Sequence, residues 1–207
     1  MEQWFYSLTA TSPNGCSSTL FTNVAQELVY NGDFSAGNVG FTSAYGNIQA
    51  PYTGGLTGLW PETLYAVDWN ANIHHSNFFG TDHTTGNGNF MIVNGAGYDT
   101  TTVWRQSFAV QPNTTYYFSA WAMSLNRVPP YAQLKFTVND SLFGTTAILA
   151  PGANTTAGPF NWVRFYGTWN SGTNTFITIS IVDLQIARGG NDFGLDDISF
   201  GTLAPFP

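Results

Sequence analysis

The side chains best suited to chemistry in this chain are its few carboxylates. Only 12 Asp and Glu residues occur in 207 residues, and charged residues make up 8% of the sequence. Asp33, Asp82, Asp196 and Asp197 sit in phrases beside strand-like runs: Asn31-Gly32-Asp33-Phe34-Ser35, Thr81-Asp82-His83-Thr84 and Leu195-Asp196-Asp197-Ile198. In so uncharged a chain their placement calls for an explanation. Glycosidic hydrolysis needs two carboxylates facing each other across a sugar, one of them held protonated. The other acids, including Glu62, Asp68, Asp99, Asp140, Asp183 and Asp192, form no pattern that marks such a pair. Neither a Gly-x-Ser-x-Gly elbow nor a phosphate-binding loop is present. His74, His75 and His83 raise zinc, but adjacent histidines on an extended chain face opposite ways. No cysteine or third histidine stands at zinc spacing either. The expectation is that the protein is not an enzyme.

A second chemistry is recognition by stacking. Residues 116–123 are apolar on both alternating faces, with Phe118, Ala120 and Ala122 on one side and Tyr117, Trp121 and Met123 on the other. A sandwich strand facing water carries polar residues on its outer side, so here that side needs a loop, a partner or a ligand to cover it. Sugars lay their C–H faces on aromatic rings while polar groups take the hydroxyls. Asn126, Arg127, Tyr131 and Gln133 follow this strand, and Trp60, Tyr65 and Trp69 can form a rim from the long segment 42–79. The candidate ligand-binding residues are Trp69, Trp121 and Tyr131 for stacking and Arg127 for hydroxyls. For any single ring the alternative is a place in the core or beneath that segment.

Composition narrows the class. The chain holds 7 Trp, 10 Tyr and 17 Phe, stiff β-formers that also build sugar-binding surfaces. The net charge of −7, with five cations in all, leaves no basic stripe for nucleic acid or an anionic membrane. No apolar run is long enough to span a bilayer, so no membrane insertion is expected. The single Cys16 excludes an internal disulfide framework. Met1-Glu2-Gln3-Trp4 lacks the basic and apolar regions of a signal peptide, and the chain reads as a piece of a longer secreted or cell-surface protein.

The elements that must position these residues are strands. No window sustains a 3.6-residue period. Strand signals cover residues 4–11, 27–30, 89–94, 103–110, 115–124, 133–138, 161–168, 175–182 and 195–200, separated by Gly, Pro, Asn and Asp turns. The expected fold is all-β, an antiparallel β-sandwich jelly roll over residues 24–202 with a tail at 203–207. The long segment 42–79, with Tyr45, Tyr52, Trp60, Tyr65, Trp69, His74 and His75, is expected to be a functional or covering loop.

Residues 1–23 stand apart. The phrase Ser12-Pro13-Asn14-Gly15-Cys16-Ser17 resembles the last hairpin of Ig-like repeats in large bacterial surface proteins. That resemblance implies a strand from a preceding repeat, able to add to a neighbour's sheet edge in self-association. The alternative is that residues 4–11 are the first strand of the main domain. Over residues 28–200 the chain resembles the MAM adhesion domain and the family 4/9 carbohydrate-binding modules. Asp33-Phe34, Asp82-His83-Thr84 with Gly88-Asn89-Phe90, and Leu195-Asp196-Asp197-Ile198 are similar to the MAM phrases. Asn31-Gly32-Asp33-Phe34, Val103-Trp104-Arg105-Gln106 and Pro112-Asn113-Thr114-Thr115-Tyr116 are similar to those of the modules.

The resemblance implies a structural calcium pinning the first strand, the middle loop and the last strand. Asp33, Asp82 and Asp197 would supply charge and backbone carbonyls the remaining oxygens. Ser35 departs from the Glu usual at its position, so a ligand is lost or Asp33 or Glu27 replaces it. Strand alternation sends only one of Asp196 and Asp197 inward. The function implied is non-catalytic carbohydrate recognition. The rival is an adhesion or self-assembling structural subunit.

Overall fold

The computed structural model describes residues 5–23, 26–48, 58–97, 100–143 and 146–202. Tyr52, Asp99 and the expected tail 203–207 lie outside the described residues. Alternating apolar runs between turn residues fold as thirteen strands among the described residues: β1 (Phe5–Thr11), β2 (Ser17–Asn23), β3 (Gly46–Asn47), β4 (Leu64–Asp68), β5 (Phe90–Asn94), β6 (Thr101–Ala109), β7 (Thr115–Ser124), β8 (Gln133–Val138), β9 (Ser141–Leu142), β10 (Ala147–Ile148), β11 (Val163–Asn170), β12 (Phe176–Asp183) and β13 (Phe193–Gly201). The one described helical turn is a 3₁₀ segment, Ala71–Ile73, capped by the Asn70 side chain.

Two sheets form a β-sandwich. One is six-stranded in the order β11-β7-β13-β5-β4-β3, the other five-stranded in the order β10-β8-β12-β6 with β9 beside β8. Pairing is antiparallel except between β3 and β4, which run parallel. Phe118, Ala120, Ala122 and Leu195 of the larger sheet meet Trp104, Phe136, Ile179 and Ile181 of the smaller in one buried core. Burying each large apolar side chain contributes about 1.5–3 kcal/mol.

The doubly apolar β7 is explained by a second buried cluster on the outer side of the larger sheet. There Met123 packs with Ala66, Phe90 and Ile92, under Leu59, Ala71, Phe78 and Leu125. The protein's own connections therefore cover the outer face at Met123. The segment 42–79 is not one loop: it contains β3, β4 and the 3₁₀ turn. Residues 27–30 are not a strand. They make a single bridge, Glu27 to Gly201, and Leu28 N–H donates to the Phe200 carbonyl at 2.8 Å. Residues 5–11 pair only with β2, which the sequence pattern missed, and join neither sandwich sheet. No described helix is long and apolar enough to cross a membrane.

Candidate functional site

Four strand ends meet at one edge of the six-stranded sheet. Phe193, which opens β13, pairs with Val93 of β5 and Ser124 of β7, and Leu64, which opens β4, pairs with Asn94. The residues at and just beyond these ends, Asn94, Asn126, Arg127, Asp192, Trp60 and Glu62, line one pocket of about 500 Å³ together with His75 and Asn154. Connections at strand ends are where a rigid sheet most readily carries a binding site. The loop bearing Asn154 approaches through Gly152, whose N–H donates to the Asn126 carbonyl at 2.8 Å. A Cβ at Gly152 would stand 2.4 Å from the Ser124 carbonyl oxygen and 2.6 Å from that of Asn126, so only glycine permits the approach.

One wall of the pocket is aromatic. Trp60 is 52% exposed, and its ring centroid lies 4.2 Å from that of His75. His75 stacks in turn on Phe78, also at 4.2 Å. Asn77 N–H donates to His75 Nδ1 at 3.2 Å, and burial pushes the imidazole below its ordinary pKa.

The floor is polar and buried. Asp192 accepts from Gly95 N–H at 3.2 Å and from Asn126 Nδ2, while Asn126 Oδ1 accepts from Val128 N–H at 3.1 Å. Burial, reinforced by the charges of Glu62 and Asp183, pushes the Asp192 carboxyl up to about 7 against these donors. Glu62 is also raised by burial, with Arg188 opposing, and its Oε2 has no hydrogen-bond partner among the described residues. Behind the floor, Asp183 accepts from the Tyr45 hydroxyl at 3.0 Å and from Ala96 N–H at 3.1 Å; burial raises it to about 6.

A second pocket, of about 380 Å³, lies towards the other end of the β5–β13 pair and is lined by Asp33, Asp82, Asp196 and Asp197 with Ser35, Thr84 and Thr85. Among the described residues no Lys or Arg lines it. Its carboxylates are held by hydrogen bonds. Asp82 accepts from the N–H groups of Thr85 at 2.9 Å and Gly88 at 2.8 Å. Burial alone would raise Asp82, but these donors and the Thr85 hydroxyl outweigh it and hold the carboxyl below its ordinary value. Asp196 accepts from the N–H groups of His83 and Asp197, each at 2.8 Å. Burial and the charge of Asp197 nonetheless push Asp196 up to about 8. Asp33 accepts from Ser35 N–H and the Ser35 hydroxyl.

Both Asp196 and Asp197 reach this pocket, contrary to the alternation expected of a regular strand. The register shifts between Asp196 and Ser199, and Asp197 takes a left-handed φ of 45°. Phe34 beside Asp33 is left-handed too, at φ 53°, a strained conformation of the kind that concentrates at functional sites. As a donor set, four carboxyl groups with threonine hydroxyls suit a hard cation such as calcium. Among the described residues, however, no three His, Cys, Asp or Glu side chains converge as a metal-holding group. A cation here would have to share or displace the hydrogen bonds just described.

The residues singled out in the sequence do not gather into one site. Arg127 lines the Trp60 pocket, and Tyr131 braces it, its hydroxyl donating to the Arg127 carbonyl at 3.0 Å. Trp121 stands beside the carboxylate pocket instead. It stacks on His83 at 3.8 Å, with the Arg164 guanidinium 5.9 Å over its ring, and His83 Nδ1 lies 2.7 Å from Asp197 Oδ2. Trp69 is 46% exposed and lines neither pocket. Asp33, Asp82 and Asp197 do share a pocket, joined by Asp196. The structure also brings Trp60, Glu62, His75 and Asp192 to one pocket, a grouping that the sequence pattern does not give. The local hint was a Trp two residues from a Glu in the long segment.

No family model and no curated protein matches the chain. Solved structures do match it. A cyclase from Fischerella sp. TAU, in complex with 4-(1H-indol-3-yl)butan-2-one, superposes with a TM-score of 0.54 at 11% identity, over 88% of this chain and 100% of that one. The N-terminal CBM22-1–CBM22-2 tandem of Paenibacillus barcinonensis Xyn10C gives 0.50 at 14% identity, over 88% of this chain and 48% of the tandem. The EclA C-terminal domain, described as a sugar-binding protein, gives 0.47 at 13% identity, over 64% of this chain and 89% of that one. At these identities the likeness is one of fold: the chain has the β-sandwich architecture found in carbohydrate-binding modules and in these cyclases.

Proposed function

We propose that this chain is a non-catalytic, extracellular carbohydrate-binding module whose ligand sits in the Trp60 pocket. One observation carries the reading: a half-exposed Trp ring, propped on His75, stands over a floor of buried, hydrogen-bonded Asn126 and Asp192. An apolar platform above a few fixed polar groups is what a sugar requires. The resemblance to MAM and family 4/9 modules points the same way, and with it goes a structural calcium at the carboxylate pocket. Asp33, Asp82, Asp196 and Asp197 would hold that ion, and its charge would offset the repulsion among them. Affinity electrophoresis on a panel of soluble polysaccharides tests the reading: retardation on at least one is expected, and none on any would refute it.

The β1–β2 hairpin favours a second reading, adhesion or self-assembly. It pairs only with itself, and a lone two-stranded hairpin is marginal in water until its edges or a face are covered. Concentration-dependent assembly, lost when residues 1–23 are removed, would support that role.

A further inference from the structure

We infer that the Trp60 pocket reads a neutral sugar residue through a donor–acceptor pair, with His75 Nε2–H giving to one hydroxyl and Glu62 Oε2 accepting from another; this rests on the carbohydrate reading of that pocket. The donor follows from the geometry. His75 is only 7% exposed, yet it lines the pocket. Its Nδ1 is committed as an acceptor, because the Asn77 backbone N–H points at it. A neutral imidazole whose Nδ1 accepts must carry its proton on Nε2. Nε2 has no partner among the described residues, so the ring offers a fixed donor to whatever enters. The Phe78 stack below and Trp60 beside it hold the ring in place.

The acceptor is Glu62 Oε2, buried and without a hydrogen-bond partner among the described residues. A buried polar atom left unpaired is costly, and a ligand that supplies the missing partner recovers that loss on binding. Neighbouring sugar hydroxyls each donate and accept, so a diol answers a donor and an acceptor in one pocket. The same wall refuses anions. Glu62 lines the pocket and Asp183, raised only to about 6, lies behind it, while Asp192, near 7, carries part of a charge; against them stand the exposed Arg127 at the rim and Arg188 near Glu62. A uronate placed among them would meet like charge where water screens poorly.

The test compares gel retardation of the whole chain, with calcium present, on neutral polymers (xylan, β-glucan, galactomannan) and acidic ones (polygalacturonate, alginate). At least one neutral polymer should retard it and no acidic polymer should. His75→Phe keeps a ring between Trp60 and Phe78 but deletes the donor, and should weaken binding about tenfold with the circular dichroism spectrum retained. Glu62→Gln at the pocket edge is the second variant, should His75→Phe fail to fold, and should weaken binding several-fold. Preferential retardation on an acidic polymer overturns the inference while leaving carbohydrate binding intact. So does undiminished binding by a folded His75→Phe or by Glu62→Gln. No retardation on any polymer overturns both.

Discussion

Replacing Trp60 with alanine probes the site where its energy should be concentrated. A Trp side chain presents about 250 Å² at most, and Trp60 is 52% exposed. A ligand covering the free part removes about 130 Å² from water, worth about 3 kcal/mol at ~25 cal/mol per Å². That is a ceiling, since a sugar face is only partly apolar and one ring edge stays open. A loss of about 2 kcal/mol, or about thirtyfold in affinity, is the working figure, in the range of a central interface residue. Folding should suffer less, because Trp60 is half exposed and belongs to neither buried core cluster. Isothermal titration with the best-retained oligosaccharide reads the affinity, and differential scanning calorimetry reads the fold. A folded Trp60→Ala protein with unchanged affinity would refute the placement of the ligand. Trp69→Ala and Trp121→Ala serve as controls, since neither ring lines this pocket.

Three further outcomes follow from the same geometry. Asp192, whose folded carboxyl sits near 7 against an ordinary value of 3.8, keeps its proton in the fold while the unfolded chain loses it. Its contribution is complete below pH 3.8 and is lost as pH rises through about 7, so stability should fall over that window by on the order of a few kcal/mol, with a shallower slope in Asp192→Asn. Urea denaturation at stepped pH checks this, and stability rising across the window would contradict it. EDTA should lower the melting temperature by about 5–10 °C, the equivalent of about 2.7 kcal/mol for an ion present at a hundred times its dissociation constant. Asp197→Asn should abolish that response; an unchanged melting curve for the wild type would dispose of the calcium proposal. Gly152→Ala should destabilise by about 1–3 kcal/mol, because its Cβ meets backbone oxygens that have little room to yield, and should weaken sugar binding by displacing Asn154. Wild-type melting and affinity in that variant would show the loop adapts.

The strands β7 and β8 were legible to the residue, because their apolar alternation is bounded by turn chemistry at Pro112-Asn113-Thr114 and by the irregular stretch before Gln133. The strand β4 was not. Tyr65 and Val67 face the inter-sheet core while Ala66 faces the outer cluster, so a five-residue run buried on both sides shows no period and hides among aromatics. The carboxylates were legible as phrases but not as geometry. Alternation separates Asp196 from Asp197, and only the register shift and the left-handed Asp197 turn both to the same pocket. Of the Trp60 pocket, the sequence offered Arg127 as a ligand contact, Asn126 beside it and Trp60 as a rim ring, but not their grouping with Glu62, His75 and Asp192. Its lining comes from widely separated segments, which meet because β4, β5, β7 and β13 end together, a fact of register that no local pattern carries.

Sugar binding in the Trp60 pocket is read by a glycan array probed with the wild-type chain and with Trp60→Ala, each with calcium and with chelator. A confined set of neutral glycans should be bound by the wild type in calcium and lost in Trp60→Ala. Binding to no glycan in either condition, with the protein instead assembling as its concentration rises, would contradict it.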